Sequence, residues 1–285
     1  MNRLKPKWIN STRNKSVPDE HSRTAAGDSD REDTPMIVDL RATEGSVGGV
    51  SVGYFTNVGM RAKNDDFGTF EVFGNRLACA LADGIGGASF GNMAARVACL
   101  SAIKRLQSII KSEPSCNRAD GLVDVLAEAD NAVCELKHLI GTGDDGTTLL
   151  IALQDREDKG LFHFAWIGDT IAFHFKAKEG LVAPLGNPGR ASVDSNRLDG
   201  ALGYHADVAS LSRSGAIRMS QGDFIVMCTD GIWDVPGALE AESLVDLASL
   251  DPDVAAKKIV KLAVDILGGS DNASAIVVKA LPELF

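Results

Sequence analysis

Apolar positions fall along this chain in short runs that stop at acidic residues. Residues 77–82 are apolar without a break, end on Asp83, and are followed by Gly84, Gly86 and Gly87. A short apolar run bounded by Asn75 and by glycines reads as a buried strand. Asp83 then sits at the end of a rigid element, and the missing side chains at the glycines leave the backbone open to a ligand or ion. The form recurs. Residues 225–229 lead into Asp230-Gly231, and residues 164–167 lead through Gly168 into Asp169. Asp271-Asn272 stands just before the apolar segment 274–278, and Asn64-Asp65-Asp66 follows the strand-like segment 51–56. A single Asp-Gly is most often a hairpin turn. Five acidic points at the ends of five apolar segments point to something more.

The same pattern predicts the other elements. Strands are expected over 50–56, 69–73, 76–82, 147–153, 161–167, 170–175, 224–229 and 274–280, with Gly74-Asn75 turning the second into the third. Helical spacing appears over 90–112 and 120–140, the latter with Asp120 as N-cap. Two more helices are expected over 238–248 and 254–267; Asp251 caps the second, with Pro252 at its first position and Gly268 as its stop. The stretch 185–220 reads as irregular. Strands come in runs and helices in pairs, an α+β pattern of antiparallel sheets covered by helices.

Residues 1–48 differ from the rest. Arg3, Lys5, Lys7, Arg13 and Lys15 precede any acid, and Asp19, Glu20, Asp28, Asp30, Glu32 and Asp33 then reverse the sign. Apart from Trp8, Ile9 and the patch at Ile37-Val38, little there could pack, so a disordered tail is expected, with the main domain over 49–285. Its basic, acid-free start leaves organelle targeting or docking as the alternative to a plain cytoplasmic location.

Composition narrows the classes. A chain of 285 residues that is 45% hydrophobic can build one large core or two small ones. A net charge of −10 argues against nucleic acid as the main partner. No apolar run approaches the roughly 18 residues of a membrane span. The five cysteines form no Cys-x-x-Cys pair and read as reduced thiols.

The chemistry follows from the acids. Carboxylates gathered at strand ends raise one another's pKa and stay ionised together only with cations among them. Oxygen ligands without clustered His or Cys select Mg²⁺ or Mn²⁺ over zinc. Two such ions sharing a carboxylate would also share a water, which becomes a nucleophile able to attack phosphorus. A phosphate substrate needs a further cation, and Arg61 is the candidate because its guanidinium grips phosphate oxygens in a fork. His163 and His174 read as ordinary sheet histidines.

Six motifs occur in order: Gly59-x-Arg61-x-x-Asn64-Asp65-Asp66, Asp83-Gly84-x-Gly86-Gly87, Gly146-Thr147-Thr148, Gly168-Asp169-Thr170, Thr229-Asp230-Gly231-Ile232-Trp233-Asp234 and Asp271-Asn272-x-Ser274. Together they resemble the metal-dependent serine/threonine protein phosphatases of the PPM, or type-2C, family, from about Val50 to the C-terminus. The resemblance implies two stacked, mostly antiparallel β-sheets flanked by helix pairs, with two Mg²⁺ or Mn²⁺ ions at one edge. It implies that Asp83 bridges the ions, that the Gly84 carbonyl and Asp65 serve the second ion, Asp65 directly or through water, and that Asp230 and Asp271 hold the first. Asp169 and Asp234, with Asp230, match a weaker third-ion position. Arg61 would clamp the substrate phosphate; Asp66 and Asn272 would support the ligands from behind. Gly146-Thr147-Thr148 would be structural, and residues 186–206 would be a variable flap. The substrate implied is a phosphoprotein, the kind of product a serine/threonine kinase makes.

This sequence departs from the family pattern at several points. Asp65 stands where many members carry Glu, and Asp145 replaces a usual Ser. Ile85 stands where some members carry a His proposed as general acid, so the leaving group's proton comes from metal-bound water or elsewhere. Ile171 stands where an Arg often follows Gly-Asp-Ser/Thr. A silent phosphatase-like binding scaffold is the alternative function. A scaffold would be expected to lack one of Asp83, Asp230 and Asp271, and all three are present.

Overall fold

Alternation along β4 (Arg76–Asp83) shows how the layers are built. Leu77, Cys79 and Leu81 face one cluster of buried side chains, and Ala78, Ala80 and Ala82 face another. Successive strand residues point to opposite faces, so a strand covered on both sides shows no polar alternation. That is why this segment reads as an unbroken apolar run.

The structure is a computed structural model that describes residues 36–38, 49–85, 90–112, 120–143, 145–191, 197–204 and 207–282. Eleven strands are described in two antiparallel sheets. One has the order β1(Met36–Val38), β2(Val50–Asn57), β11(Ala273–Ala280), β10(Phe224–Cys228), β7(Ile171–Lys176), β8(Leu181–Pro184). The other has the order β3(Asp66–Phe73), β4, β5(Leu149–Gln154), β6(Leu161–Ile167), β9(Arg213–Arg218). Tyr54, Ile225, Met227 and Ile276 of the first sheet share a buried layer with Leu77, Leu150, Phe164 and Trp166 of the second. The sheets are therefore stacked face to face, an α+β sandwich.

Helices α1(Gly91–Ser112) and α2(Asp120–Ile140) cover the outer face of the second sheet through Ala94, Ala98, Leu106, Leu126, Ala129 and Val133. On the first sheet, α6(Pro252–Lys261) packs Ala255, Ala256, Ile259 and Val260 against Phe55, Val226 and Val277. Short helices α3(Val208–Leu211), α4(Asp230–Trp233) and α5(Ala241–Leu244) complete the helical set among the described residues.

Several expectations need correction. The helix expected over 238–248 is one α-turn, α5, continued by a 3₁₀ segment Val245–Ser249. The 3₁₀ segment closes with the Leu250 N–H donating to the Leu247 carbonyl at 3.1 Å, and Lys279 on β11 also donates to the carbonyls of Leu247, Ala248 and Leu250 at that end. The helix expected to run unbroken to 267 begins at Pro252 and passes into a π-turn at Leu262–Ile266. The stretch 185–220 is not wholly irregular, since it contains α3 and β9. Strand β8 was not expected. Within the tail expected at 1–48, Met36–Val38 pairs antiparallel with β2; the remainder, 1–35 and 39–48, lies outside the described residues.

Candidate metal and phosphate site

Two sets of strand ends meet at one edge of the sandwich. Asp83 ends β4 on the face shared with Leu77, Cys79 and Leu81, the face turned toward the other sheet. Asp66 is its register partner across β3. From the other sheet, Asp230 follows β10 and Asp271 precedes β11. A cleft of about 730 Å³ opens here, lined by Arg61, Asp65, Asp83, Gly84, Asp169, Asp230, Asp271 and Asn272 among others.

The Asp83 backbone is fixed by threonines. Its N–H donates to Thr148 Oγ1 at 2.8 Å, and its carbonyl accepts from the Thr148 N–H and Thr147 Oγ1, each at 2.9 Å. Thr148 Oγ1 lies 2.6 Å from Thr170 Oγ1. Gly146-Thr147-Thr148 thus holds the carboxylate-bearing turn in place. Gly84 lies so close to the start of α1 that a Cβ there would collide with the Gly91 carbonyl.

Asn272 ties the β2–β3 connection to the start of β11. Its Oδ1 accepts from the Asp65 N–H at 2.8 Å, and its Nδ2 donates to the carbonyls of Val58 at 2.8 Å and Lys63 at 3.0 Å. Gly59, at φ +61°, passes so near the Asp271 carbonyl that a side chain would not fit. This clasp brings Arg61 to the cleft, where its Nη2 donates to Asp271 Oδ2 at 2.6 Å. That bond holds the Arg61 pKa above its ordinary value. Asp65 Oδ1 accepts from the Asn92 N–H at the start of α1 and pairs with Lys63 Nζ, both at 3.0 Å.

Burial and neighbouring charge work against these carboxylates. Burial, reinforced by neighbouring acids, pushes Asp83 well above the usual carboxylate range. Asp66 and Asp230 are both raised to about 7, with burial as the largest cause. Asp66 Oδ2 accepts from Thr229 Oγ1 at 2.8 Å, while Asp66 Oδ1 and Asp230 Oδ1 are buried with no hydrogen-bond partner among the described residues.

Arg190 went unnoticed in the sequence. Its Nε donates to Asp169 Oδ2 at 2.7 Å, Nη2 to Asp230 Oδ2 at 2.8 Å and Nη1 to Asp234 Oδ2 at 3.1 Å. Its guanidinium carbon lies 4.4 Å from the centre of the Trp233 ring, and the Trp233 indole N–H donates to the Asp169 carbonyl at 2.9 Å. The signal that could have found it is Ile171: a cation missing beside Asp169 raises the question of which residue replaces it. Among the described residues, no group of three or more His, Cys, Asp or Glu side chains is placed to hold a metal ion by itself.

The protein phosphatase 2C family model matches residues 59–261. The chain belongs to the protein phosphatase 2C family. It is a protein serine/threonine phosphatase, and its family works with Mn²⁺ or Mg²⁺ on phosphoproteins. Solved phosphatases of this family share the fold. The serine/threonine phosphatase PstP/Ppp of Mycobacterium tuberculosis is 19% identical with a TM-score of 0.66, over 81% of this chain and 99% of that one. The PstP catalytic domain in complex with two manganese ions is 20% identical, TM-score 0.65, over 81% of this chain and 98% of that one. MsPP of Mycobacterium smegmatis, solved with cacodylate, is 24% identical, TM-score 0.59, over 80% and 97%. No curated protein matches the chain. No helix among the described residues is long and apolar enough to cross a membrane.

Proposed function

We propose that this phosphatase releases phosphate from phosphoserine and phosphothreonine in proteins through two Mg²⁺ or Mn²⁺ ions set between the two sheets. Asp83 would bridge the ions. Asp230 and Asp271 would hold the first, and the Gly84 carbonyl and Asp65, directly or through water, the second.

The observation that carries this reading is the Asp230 carboxylate. One oxygen is spent on Arg190, and the other is buried without a partner among the described residues, at the cleft that Asp83 lines. A buried acceptor left without a partner costs about 1–3 kcal/mol, and more when its group is charged. The open donors are oxygens, which suits a hard divalent ion. The two manganese ions in the PstP structure support the same reading.

When bound, the ions supply an activated water and charge compensation for in-line attack on phosphorus. The chain's own residues do the rest. Thr147, Thr148 and Thr170 hold the Asp83 turn, and Asn272 holds the Asp65 and Asp271 turns together. Arg61 spends one nitrogen on Asp271 and has further donors in its planar fork to receive a phosphate oxygen. Asp66, behind Asp83, takes the Thr229 hydroxyl. Ile85 lines the cleft and brings no proton to the leaving group. The substrate would be a phosphoprotein made by a serine/threonine kinase.

The test is hydrolysis of p-nitrophenyl phosphate and of a phosphothreonine peptide with Mn²⁺, with and without EDTA. Turnover that EDTA abolishes and Mn²⁺ restores is expected. Turnover that survives EDTA would overturn the ion assignment, and no turnover with Mn²⁺ would favour a binding scaffold.

A further inference from the structure

The three carboxylates that the family resemblance assigns to a third ion already have a cation. We infer that the Arg190 guanidinium fills the third-ion position of this chain, so that Asp169 and Asp234 ligate arginine and the site carries two divalent ions without a third.

Three different nitrogens of one guanidinium reach three different carboxylates, at 2.7, 2.8 and 3.1 Å. Such charge-assisted bonds are the strong class of hydrogen bond, and a planar fork suits converging carboxylates better than a flexible ammonium does. The side chain is only 8% exposed. It is flanked by the Trp233 ring, itself tied to the Asp169 backbone. The backbone is also pinned: the Gly189 N–H donates to the Gly168 carbonyl at 3.1 Å, and the Gly189 carbonyl accepts from the Asp199 N–H at 2.9 Å. Arg190 therefore arrives from a chain segment fastened beside the Gly168-Asp169 turn. Next to Asp169, Ile171 offers no charge, and Arg190 supplies the one missing there.

The division of oxygens at Asp230 fits this assignment. Oδ2 faces Arg190, and Oδ1, buried and unpartnered among the described residues, remains for the first ion. The arginine satisfies the outer acids without removing the donor that the inner ions need. The same contacts fasten the flap segment to the metal edge.

The inference rests on the two-ion reading only for which positions are called first, second and third. The experiment counts bound Mn²⁺ per chain by equilibrium dialysis with elemental analysis, over free Mn²⁺ from micromolar to millimolar. The parent chain is expected to saturate at two ions. Arg190→Met, which keeps length and loses charge, is expected to gain one further, weaker ion, and Arg190→Met combined with Asp169→Asn to lose that gain. Asp169→Asn alone, which keeps Arg190, is expected to bind as many ions as the parent. A third ion in the parent, no gain in Arg190→Met, or loss of one ion in Asp169→Asn would each overturn the inference. A parent count below two would instead overturn the two-ion reading, and the gain or absence of gain in Arg190→Met would still decide the role of Arg190.

Discussion

Asp66 and Asp83 stand directly opposite each other in the β3–β4 ladder, two carboxyl residues paired at the mouth of a buried layer. Across an antiparallel pair, like charges in register destabilise the sheet. Here burial raises both pKa values, Asp66 to about 7 and Asp83 well above its usual range, and Asp230 is also raised to about 7.

The metal-free protein should therefore lose stability as pH rises. Between the unfolded carboxylate pKa near 4 and the folded values near 7, the folded state binds more protons than the unfolded one, so stability falls with pH across that window. Thermal melts in EDTA should give a higher Tm at pH 5 than at pH 7.5, and Asp83→Asn should flatten the slope. Excess Mn²⁺ should raise Tm most at pH 7.5. An EDTA profile that rises from pH 5 to 7.5 and is unchanged by Asp83→Asn would contradict this.

Asp230→Asn should remove most of the activity. On the two-ion proposal it takes a charge from a site where both ion affinity and water activation would depend on it. We expect kcat to fall by about 100-fold or more, with weaker Mn²⁺ binding by titration calorimetry. Parental turnover at parental Mn²⁺ would show that Asp230 is not a ligand.

Arg61→Ala separates phosphate binding from metal binding. The kcat/KM for a phosphopeptide should drop roughly 10- to 1,000-fold, the scale of a lost charge-assisted clamp. Mn²⁺ affinity should stay near the parental value, and inorganic phosphate should become a weaker inhibitor. Arg61→Lys should recover only part of the loss. If Mn²⁺ affinity collapses along with activity, the bond to Asp271 is the main role of Arg61.

Asn272→Ala should cost both stability and activity. It strands the Asp65 N–H and the carbonyls of Val58 and Lys63, so unfolding by denaturant should show a loss of about 2–4 kcal/mol. Asn272→Asp keeps the acceptor but sets a carboxylate oxygen against the two carbonyls, and should cost at least as much as Ala. Unchanged stability in the Ala variant would mean that water replaces all three bonds.

What could be read in the sequence was what local chemistry writes into it. The acids at 65, 66, 83, 169, 230 and 271 stood out because each ends or begins an apolar segment, and the structure places them at one edge. The α+β class and the stacked sheets match the expectation. Strand β9 was missed because its only apolar residues, Gly215, Ala216 and Ile217, are consecutive rather than alternating and only Ile217 among its side chains is buried; an edge strand need show no apolar pattern. Helix α5 was overextended because apolar spacing does not separate an α-turn from the tighter 3₁₀ turns that follow it, whose end meets Lys279 from β11, some thirty residues later. Arg190 was missed for a similar reason. It lies in a segment without periodicity, and its partners come from β6's end and from α4, distant in sequence.

The seam between the sheets carries a last consequence. Asp83 rides on one sheet, and Asp230 and Asp271 ride on the other, so the gap the ions would span is set by how the Trp166 and Phe164 layer seats against Met227 and Ile276. The sandwich works as a caliper. Trimming a side chain deep in that layer, far from any ligand, would let the jaws slide by a fraction of an ångström. Ion affinity would register the slip before global unfolding did.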